Sequence, residues 1–263
     1  MSKIVVSFIL IFLSINLYSQ KDKYKVIKVN GSILFEKNNT ELKRGSVFSE
    51  NDKLNFKTTN SRAAVINPIK GRFILMPNNN NIAFARANLT PSMNNISSRA
   101  GALINKIDLS NFFNNNYVIL DKSYIKISPK VFKMDDNNFF YIKYTYKGEE
   151  IPKKLKNKGD TLIIDKKELF TIDGWPIPNP NITNMDLMYL NKLQNKSVFI
   201  STFNPVFPDT KELLEEIKLI IDNLKNKSRE NKITEVTSYI NEMYGKIDKN
   251  NVEIWLINNN VIK

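Results

Sequence analysis

Two residue types that perform much of the acid–base and metal chemistry of proteins do not occur in this sequence. None of its 263 residues is a cysteine or a histidine. Without cysteine there is no disulfide, no thiolate metal ligand and no thiol nucleophile. Without histidine, the usual general base near neutral pH and the commonest transition-metal ligand are missing. Ser-His-Asp, Cys-His and ordinary zinc hydrolase chemistry are therefore excluded, and carboxylate or lysine chemistry remains.

Three pairs of adjacent acidic residues are the first carboxylates to consider: Asp135-Asp136, Glu149-Glu150 and Glu215-Glu216. Glycosidase chemistry needs two carboxylates that face each other across a cleft, and neighbours on a strand point to opposite faces. The run that begins at Asp135 has calcium-ligand types but lacks the ligand spacing and central glycine of an EF-hand, which indicates a solvated turn. No phosphate loop or dinucleotide fingerprint occurs. We therefore expect no catalytic residue, no metal ion and no cofactor, and a protein that is not an enzyme.

Four aromatic residues are the candidate ligand or partner surface: Tyr141, Tyr144, Tyr146 and Trp175. Aromatic rings stack on sugar rings, so a saccharide ligand is one interpretation of the cluster. Strand alternation would place Tyr144 and Tyr146 on one face and Tyr141 on the other. Packing of one face in the protein core explains the pattern without a ligand, and we favour that interpretation.

These aromatic residues belong to a second organised region, residues 117–263. Aromatic and β-branched runs between turn residues predict its strands: Tyr117–Leu120, Tyr124–Ile127, Phe139–Tyr146, Thr161–Ile164 and Ser197–Phe203. Pro176, Pro178 and Pro180 predict an extended passage that routes the chain. An antiparallel sheet of about four strands is the simplest arrangement.

The end of the chain predicts helices that cover this sheet. Asp209 is a suitable N-cap with Glu212 three residues later, and apolar residues then recur every three or four positions to Leu224. A second helix is predicted over Lys232–Tyr244, with Gly245 as its C-cap. Asp248 begins a short third helix; a strand over Val252–Ile257 is the alternative.

The most regular pattern lies near the other end of the chain, from Tyr24 to Leu75. Short alternating apolar runs are separated by turn-forming residues, which predicts a compact all-β module. The predicted strands are Val26–Val29, Ile33–Phe35, Lys53–Phe56, Ala63–Ile66 and Arg72–Leu75. Ile82–Ala87 would add a further strand.

The same stretch resembles the FecR-like domain, a β-rich module of bacterial envelope proteins. The matching features are a first-turn glycine, a Leu-x-x-Gly segment, an Asp-led alternating strand, an Asn-Ser-x-Ala segment and a closing strand: Gly31, Glu41–Phe48, Asp52–Thr58, Asn60–Ile66 and Gly71–Leu75. Signalling members of the family carry an anti-sigma segment and a membrane span before this domain. We expect neither here, so the resemblance implies an envelope module without carrying over the sensor role.

The first residues predict export. Lys3 precedes an apolar run over Ile4–Leu13 and a polar end with Ser19, which is typical of a cleaved secretory signal peptide. The run is short for a membrane span; an uncleaved anchor is the alternative. We expect a signal peptide over residues 1–19, a FecR-like β domain over 22–88, a polar connector over 89–116 and an α+β domain over 117–263.

The formal net charge is +13. A cytosolic protein with this charge would be tested first for nucleic-acid binding, but export argues against it, and the lysines are spread along the chain with many asparagines. We expect no nucleic acid and no stable membrane span after signal cleavage. Anionic or polysaccharide components of the envelope, or an envelope protein, are the expected partners.

Together these features predict an α+β protein that is periplasmic or extracellular: a non-catalytic binding or scaffold protein of the cell envelope. One alternative is a carboxylate-dependent hydrolase of an envelope polysaccharide, which requires two acidic residues lining one cleft. Another is a periplasmic sensor component of a signalling pathway, which would need a membrane-bound partner.

Overall fold

The computed structural model describes residues 23–77, 103–177 and 180–263. The predicted signal peptide, the predicted strand at Ile82–Ala87 and the first half of the predicted connector lie outside these ranges. The described chain consists of strands joined mainly in antiparallel sheets, with five helices that are mostly C-terminal. The predicted α+β class is confirmed.

The chain divides into two compact units. The first contains the described residues up to Pro77 together with Leu214–Ser228, and the second contains the described residues between Leu103 and Leu213 together with Arg229–Lys263. Our sequence-based boundaries placed Leu214–Ser228 in the C-terminal domain. Helix α3, Thr210–Asn223, contributes most of that segment.

The first unit has six short strands: β1 Lys23–Asn30, β2 Ile33–Phe35, β3 Val47–Ser49, β4 Leu54–Phe56, β5 Arg62–Asn67 and β6 Gly71–Leu75. Four form a sheet in the order β3-β1-β5-β6, and β2 pairs with β4. Alternation places Tyr24 and Val26 in a core with Val65 and Leu75. The five strands predicted in this stretch are present, and β3 was not predicted.

Gly31 makes the tight connection between β1 and β2. Its φ is +77°, in the left-handed region that favours glycine. A Cβ atom there would lie 2.6 Å from Ser61 Oγ, and Ser61 is itself fully buried. The turn therefore requires glycine both for its backbone conformation and for the space that Ser61 occupies.

The second unit contains the remaining strands and helices. Its strands are β7 Asn116–Val118, β8 Lys122–Lys126, β9 Asn138–Tyr146, β10 Glu149–Lys154, β11 Lys156–Lys158, β12 Thr161–Asp165, β13 Thr171–Ile172, β14 Trp175–Pro176, β15 Met185–Asn191 and β16 Lys196–Val206. Its helices are α1 Lys106–Phe112, α2 Lys166–Leu169, α4 Arg229–Met243 and α5 Lys249–Asn258.

The larger sheet of this unit has the order β10-β9-β15-β16-β7. Its first four strands are antiparallel, whereas β16 and β7 pair in parallel. Strand β15 lies between β9 and β16, yet its sequence was not predicted as a strand. Helix α1 also differs from the prediction, because it lies inside the expected polar connector.

A three-stranded antiparallel sheet, β11-β12-β8, completes the core of the second unit. Its inward residues, including Ile125 and Leu162, join Phe140 and Ile142 of the larger sheet in one apolar cluster. Helix α5 contacts strand β8, and the side chain of Asn251 accepts a 2.8 Å hydrogen bond from the backbone N–H of Tyr124.

The three predicted C-terminal helices are present. The Glu212 N–H donates to Asp209 Oδ1 at 2.8 Å, and Asp248 caps α5 by accepting from two backbone N–H groups. These caps satisfy donors that have no partner within the helix. The alternative strand over Val252–Ile257 is wrong. None of the helices among the described residues is long and apolar enough to cross a membrane.

Candidate functional site

The predicted aromatic surface is divided by the strand that carries it. Tyr144 lies in the core with 3% of its surface exposed. Its hydroxyl donates to the Leu169 carbonyl at 2.6 Å, and burial, with the nearby Tyr146, raises its pKa to about 12. A residue so enclosed cannot present its ring to a ligand. We therefore remove Tyr144 from the candidate surface.

The other three aromatic residues are accessible to different degrees. Tyr141 is half-buried on the opposite face of β9, with its hydroxyl 2.7 Å from Ser197 Oγ. Tyr146 is half-buried, and the ammonium of Lys147 lies 5.5 Å from its ring centroid. Trp175 is 78% exposed on the two-residue strand β14. Tyr141 and Tyr146 face opposite sides of the sheet, so the predicted residues do not form one continuous surface.

Asp135 and Glu150, from two of the three acidic pairs singled out from the sequence, make contacts with residues close in the chain. Asp135 accepts hydrogen bonds from the backbone N–H groups of Asn137 and Asn138. Together with the ammonium of Lys133 and the side chain of Asn138, these contacts hold the pKa of Asp135 well below its usual range. Glu150 pairs with Lys143 at 2.6 Å. Among the residues that the structure describes, no three acidic side chains are grouped so as to hold a metal ion.

Within the described ranges, the candidate binding site is a cavity of about 480 Å³ in the second unit. Small-molecule sites are typically concave, largely apolar and equipped with a few polar groups, at about 300–1,000 Å³. This cavity has both kinds of lining residue: Asp121, Lys122, Asp165, Lys166, Lys167, Phe170, Pro176, Ile177 and Pro180.

Strand pairing assembles the charged side of the cavity. Strands β8 and β12 run antiparallel, and their register places Lys122 directly opposite Asp165. The chain turns into α2 immediately after Asp165, where the Lys166 N–H donates to the Asp121 carbonyl at 3.0 Å. Two segments some forty positions apart in the sequence thus form one edge of the site.

The apolar side of the cavity comes from the chain that follows α2. Phe170 and Ile177 are 7% and 9% exposed, and the Ile177 N–H donates to the Phe170 carbonyl at 2.7 Å. The Phe170 ring packs edge-on against Tyr144 and Phe207, with centroids 5.9 and 5.0 Å away. These contacts fix the apolar wall against the core.

Both carboxylate oxygens of Asp165 are engaged by neighbouring groups. One carboxylate oxygen accepts from the Lys167 N–H at 2.9 Å, and the other lies 2.9 Å from Lys122 Nζ. Partial burial would raise the pKa of Asp165, but Lys122 and the backbone donors outweigh it, and the pKa is lowered. The same pair raises the pKa of Lys122.

Lys166 and Lys167 have no such carboxylate partner in the part of the chain that the structure describes. Lys166 is half-buried, and its ammonium lies 5.5 Å from the ring centroid of Phe207. Lys167 is exposed. The cavity therefore combines an apolar wall with two ammonium groups that are available to an anion.

The arrangement is suited to binding more than to proton transfer. A general acid or base needs an oxygen within reach of the substrate and a pKa near the working pH. Asp165 has neither, since both of its oxygens are bound and its pKa is lowered. The lysines can supply charge to an anionic group without any chemical step.

Most of this site was not predicted. No structure or role was predicted for Asp165-Lys166-Lys167, and the proline passage was predicted only to route the chain. One signal was present: an aspartate followed by Lys-Lys-Glu-Leu is a helix-capping sequence. That signal would have located α2, but not the cavity beside it.

A scan against protein-family models found no match over this chain, and a search of curated proteins found no similar sequence.

Proposed function

We propose that this chain is an exported, non-catalytic protein of the cell envelope that binds or scaffolds another envelope component. It would use a FecR-like module near its N-terminus and the cavity of its second unit. The observation that carries the proposal is the cavity's combination of an apolar wall, an Asp165–Lys122 ion pair and two lysines that form no ion pair within the described residues. Export and the FecR-like module rest on the sequence patterns described above.

A crosslinking pull-down tests this proposal. The bait is the chain from Gln20 to Lys263, incubated with a detergent-solubilised envelope fraction and washed at low and high salt. We expect one discrete envelope component to remain bound at high salt. Material that washes off with salt would show only general charge attraction to a basic protein, and would contradict specific binding.

Two variants locate the binding surface. K166Q/K167Q removes the two cavity ammonium groups that form no ion pair within the described residues, whereas K130Q/K196Q removes two exposed lysines of the same unit that do not line the cavity. We expect the first variant to lose the captured component and the second to retain it. If both variants capture it equally, the chain is a binding protein that uses another surface.

One observation favours the alternative of a carboxylate-dependent hydrolase. Asp121 and Asp165 line the same cavity, and most glycosidases use two carboxylates as their catalytic residues. The bound state of Asp165 argues against this role. Incubation of the protein with envelope polysaccharide tests it: we expect no release of reducing ends, whereas release that D121N abolishes would replace the binding proposal with the hydrolase.

A further inference from the structure

We infer that the cavity of the second unit binds an amphipathic organic anion, a carboxylate or phosphate group attached directly to an apolar ring or chain. This inference rests on the proposed binding function and names the class of ligand. It depends on three features of the cavity: its size, its apolar wall and the distribution of charge at its edge.

The apolar lining of the cavity is suited to contact with a ring or a short hydrocarbon chain. Phe170 and Ile177 are held in place by the core, and Pro176 and Pro180 also line the cavity. Proline and phenylalanine surfaces cannot hydrogen-bond a ligand through their side chains, so they favour apolar groups that leave water. A volume of about 480 Å³ matches a small molecule or one end of a larger one.

The charge at the edge selects an anion. Three lysines and two aspartates line the cavity, so its formal charge is 3 − 2 = +1. Lys122 neutralises Asp165 across a 2.9 Å contact, which leaves Lys166 and Lys167 beside Asp121. A phosphate or carboxylate that approaches the two lysines gains charge-assisted hydrogen bonds.

The two features together favour a ligand with both an apolar and an anionic part over simpler ligands. An inorganic anion would use the lysines but leave the apolar wall in contact with water. A neutral apolar molecule would bury the wall but leave two ammonium groups without an anion. A ligand that carries both parts satisfies both sides of the cavity at once.

Isothermal titration calorimetry with three defined probes tests this inference on the chain from Gln20 to Lys263. Phenyl phosphate carries both parts, inorganic phosphate carries only the anion, and benzyl alcohol carries only the ring. We expect phenyl phosphate to bind with one-to-one stoichiometry, and at least about tenfold more tightly than either of the others. Equal binding of inorganic phosphate would contradict the apolar part, and equal binding of benzyl alcohol would contradict the anionic part.

The charge-matched variants tie the affinity to the cavity. K166Q/K167Q should weaken phenyl phosphate binding about tenfold, while K130Q/K196Q, with the same change in net charge, should leave it unchanged. Circular dichroism spectra identical to that of the unmodified protein verify that both variants are folded. Equal weakening in both variants would show that the effect comes from the net charge of the protein, and it would contradict binding at this cavity.

The anion can belong to a soluble organic acid or to a phospholipid headgroup, and sedimentation with vesicles separates these sources. Phosphatidylcholine vesicles with and without phosphatidylglycerol are incubated with the protein and with both variants. Sedimentation that requires phosphatidylglycerol and is lost only in K166Q/K167Q identifies a lipid. Phenyl phosphate binding without sedimentation identifies a soluble ligand.

Failure of this inference is distinguishable from failure of the proposed function. If phenyl phosphate does not bind but the pull-down recovers a discrete component, the ligand class is wrong and the binding function stands. If phenyl phosphate binds at the cavity but nothing is recovered from the envelope fraction, the site stands and the envelope role is contradicted.

Discussion

Two ion pairs of similar length join a lysine on a strand to a distant carboxylate, one in each unit of the molecule. In the first unit, Lys28 of β1 lies 3.1 Å from Glu216 of helix α3. In the second, Lys122 of β8 lies 2.9 Å from Asp165 at the end of β12. Their surroundings differ: the side chains of Glu216 and Lys28 are 2% and 19% exposed, whereas those of Asp165 and Lys122 are 13% and 50% exposed at the edge of a cavity.

This difference in exposure distinguishes an ion pair that stabilises the fold from an ion pair that lies at a candidate binding site. A charge left alone in the interior is expensive because it has lost its water, so the buried pair must remain intact for the first unit to be stable. An ion pair with one half-exposed partner contributes less to stability because solvent screens it. The second pair can therefore shape the charge of a binding cavity while contributing less to the stability of its unit than the buried pair does.

The largest expected effect is the loss of the buried carboxylate. E216A leaves the Lys28 ammonium mostly enclosed without this partner, and we expect it to lower the free energy of unfolding by about 3 kcal/mol. Urea unfolding followed by circular dichroism measures the change. The neighbouring residue supplies a matched control, because Glu215 pairs with Arg44 at 2.8 Å with both side chains more than a third exposed. E215A should cost less than about 1 kcal/mol; equal costs would contradict the distinction between buried and exposed pairs.

The second effect concerns Asp165, which both caps α2 and pairs with Lys122. D165A removes both contacts, and we expect a loss of about 1–2 kcal/mol. D165N keeps an oxygen for the backbone N–H but loses the charge, and its loss should stay below about 1 kcal/mol. Urea unfolding of the two variants measures these losses. If D165N were as unstable as D165A, the ion pair would dominate over the cap.

The same aspartate should leave a signature in the pH dependence of stability. Its pKa in the folded protein is lower than the ordinary value of 3.8, so the unfolded chain takes up its proton first as the pH falls. The stabilisation is fully present well above pH 3.8 and is lost as the pH falls through the lowered pKa. The difference in unfolding free energy between the unmodified protein and D165N should shrink between about pH 5 and about pH 3. A difference that stays constant over this range would show that the charge of Asp165 contributes nothing.

The smallest expected change in stability follows from substitution of the two cavity lysines, Lys166 and Lys167. Neither lysine forms an ion pair with a carboxylate within the described ranges, so K166Q/K167Q should change the free energy of unfolding by no more than about 0.5 kcal/mol. Thermal unfolding compared with K130Q/K196Q measures it. A large loss would show that these lysines support the fold and would weaken the assignment of a binding role.

Local patterns in the sequence predicted much of the fold. The strand around Val26 alternates apolar and polar residues, and the strand around Val65 is a short apolar run. Both lie between turn-forming residues, and each was predicted where it is found. The caps at Asp209 and Asp248 marked two helix starts because a short side chain satisfies nearby backbone donors. These features depend on residues within one turn or one strand of each other.

The elements that were missed lack such local signals or depend on distant partners. Met185–Asn191 mixes apolar, acidic and amide residues, and it becomes a strand because β9 and β16 supply hydrogen bonds on both sides. Helix α1 buries only Leu109 within its span, so its apolar face is too narrow to stand out among polar residues. Tertiary context outweighs propensity in both cases.

For the candidate site, too, some features follow from local sequence and others only from tertiary structure. By itself, the sequence limited which chemistry was available, because a chain without cysteine or histidine has no thiol and no imidazole group. It also determined the α+β class and the helix starts, through periodicity and capping. Only the tertiary structure decided that Tyr144 is enclosed and that Lys122 meets Asp165 beside Phe170. Those residues come together through the register of β8 and β12 and through packing of the core, and neither is encoded in the spacing of residues along the chain.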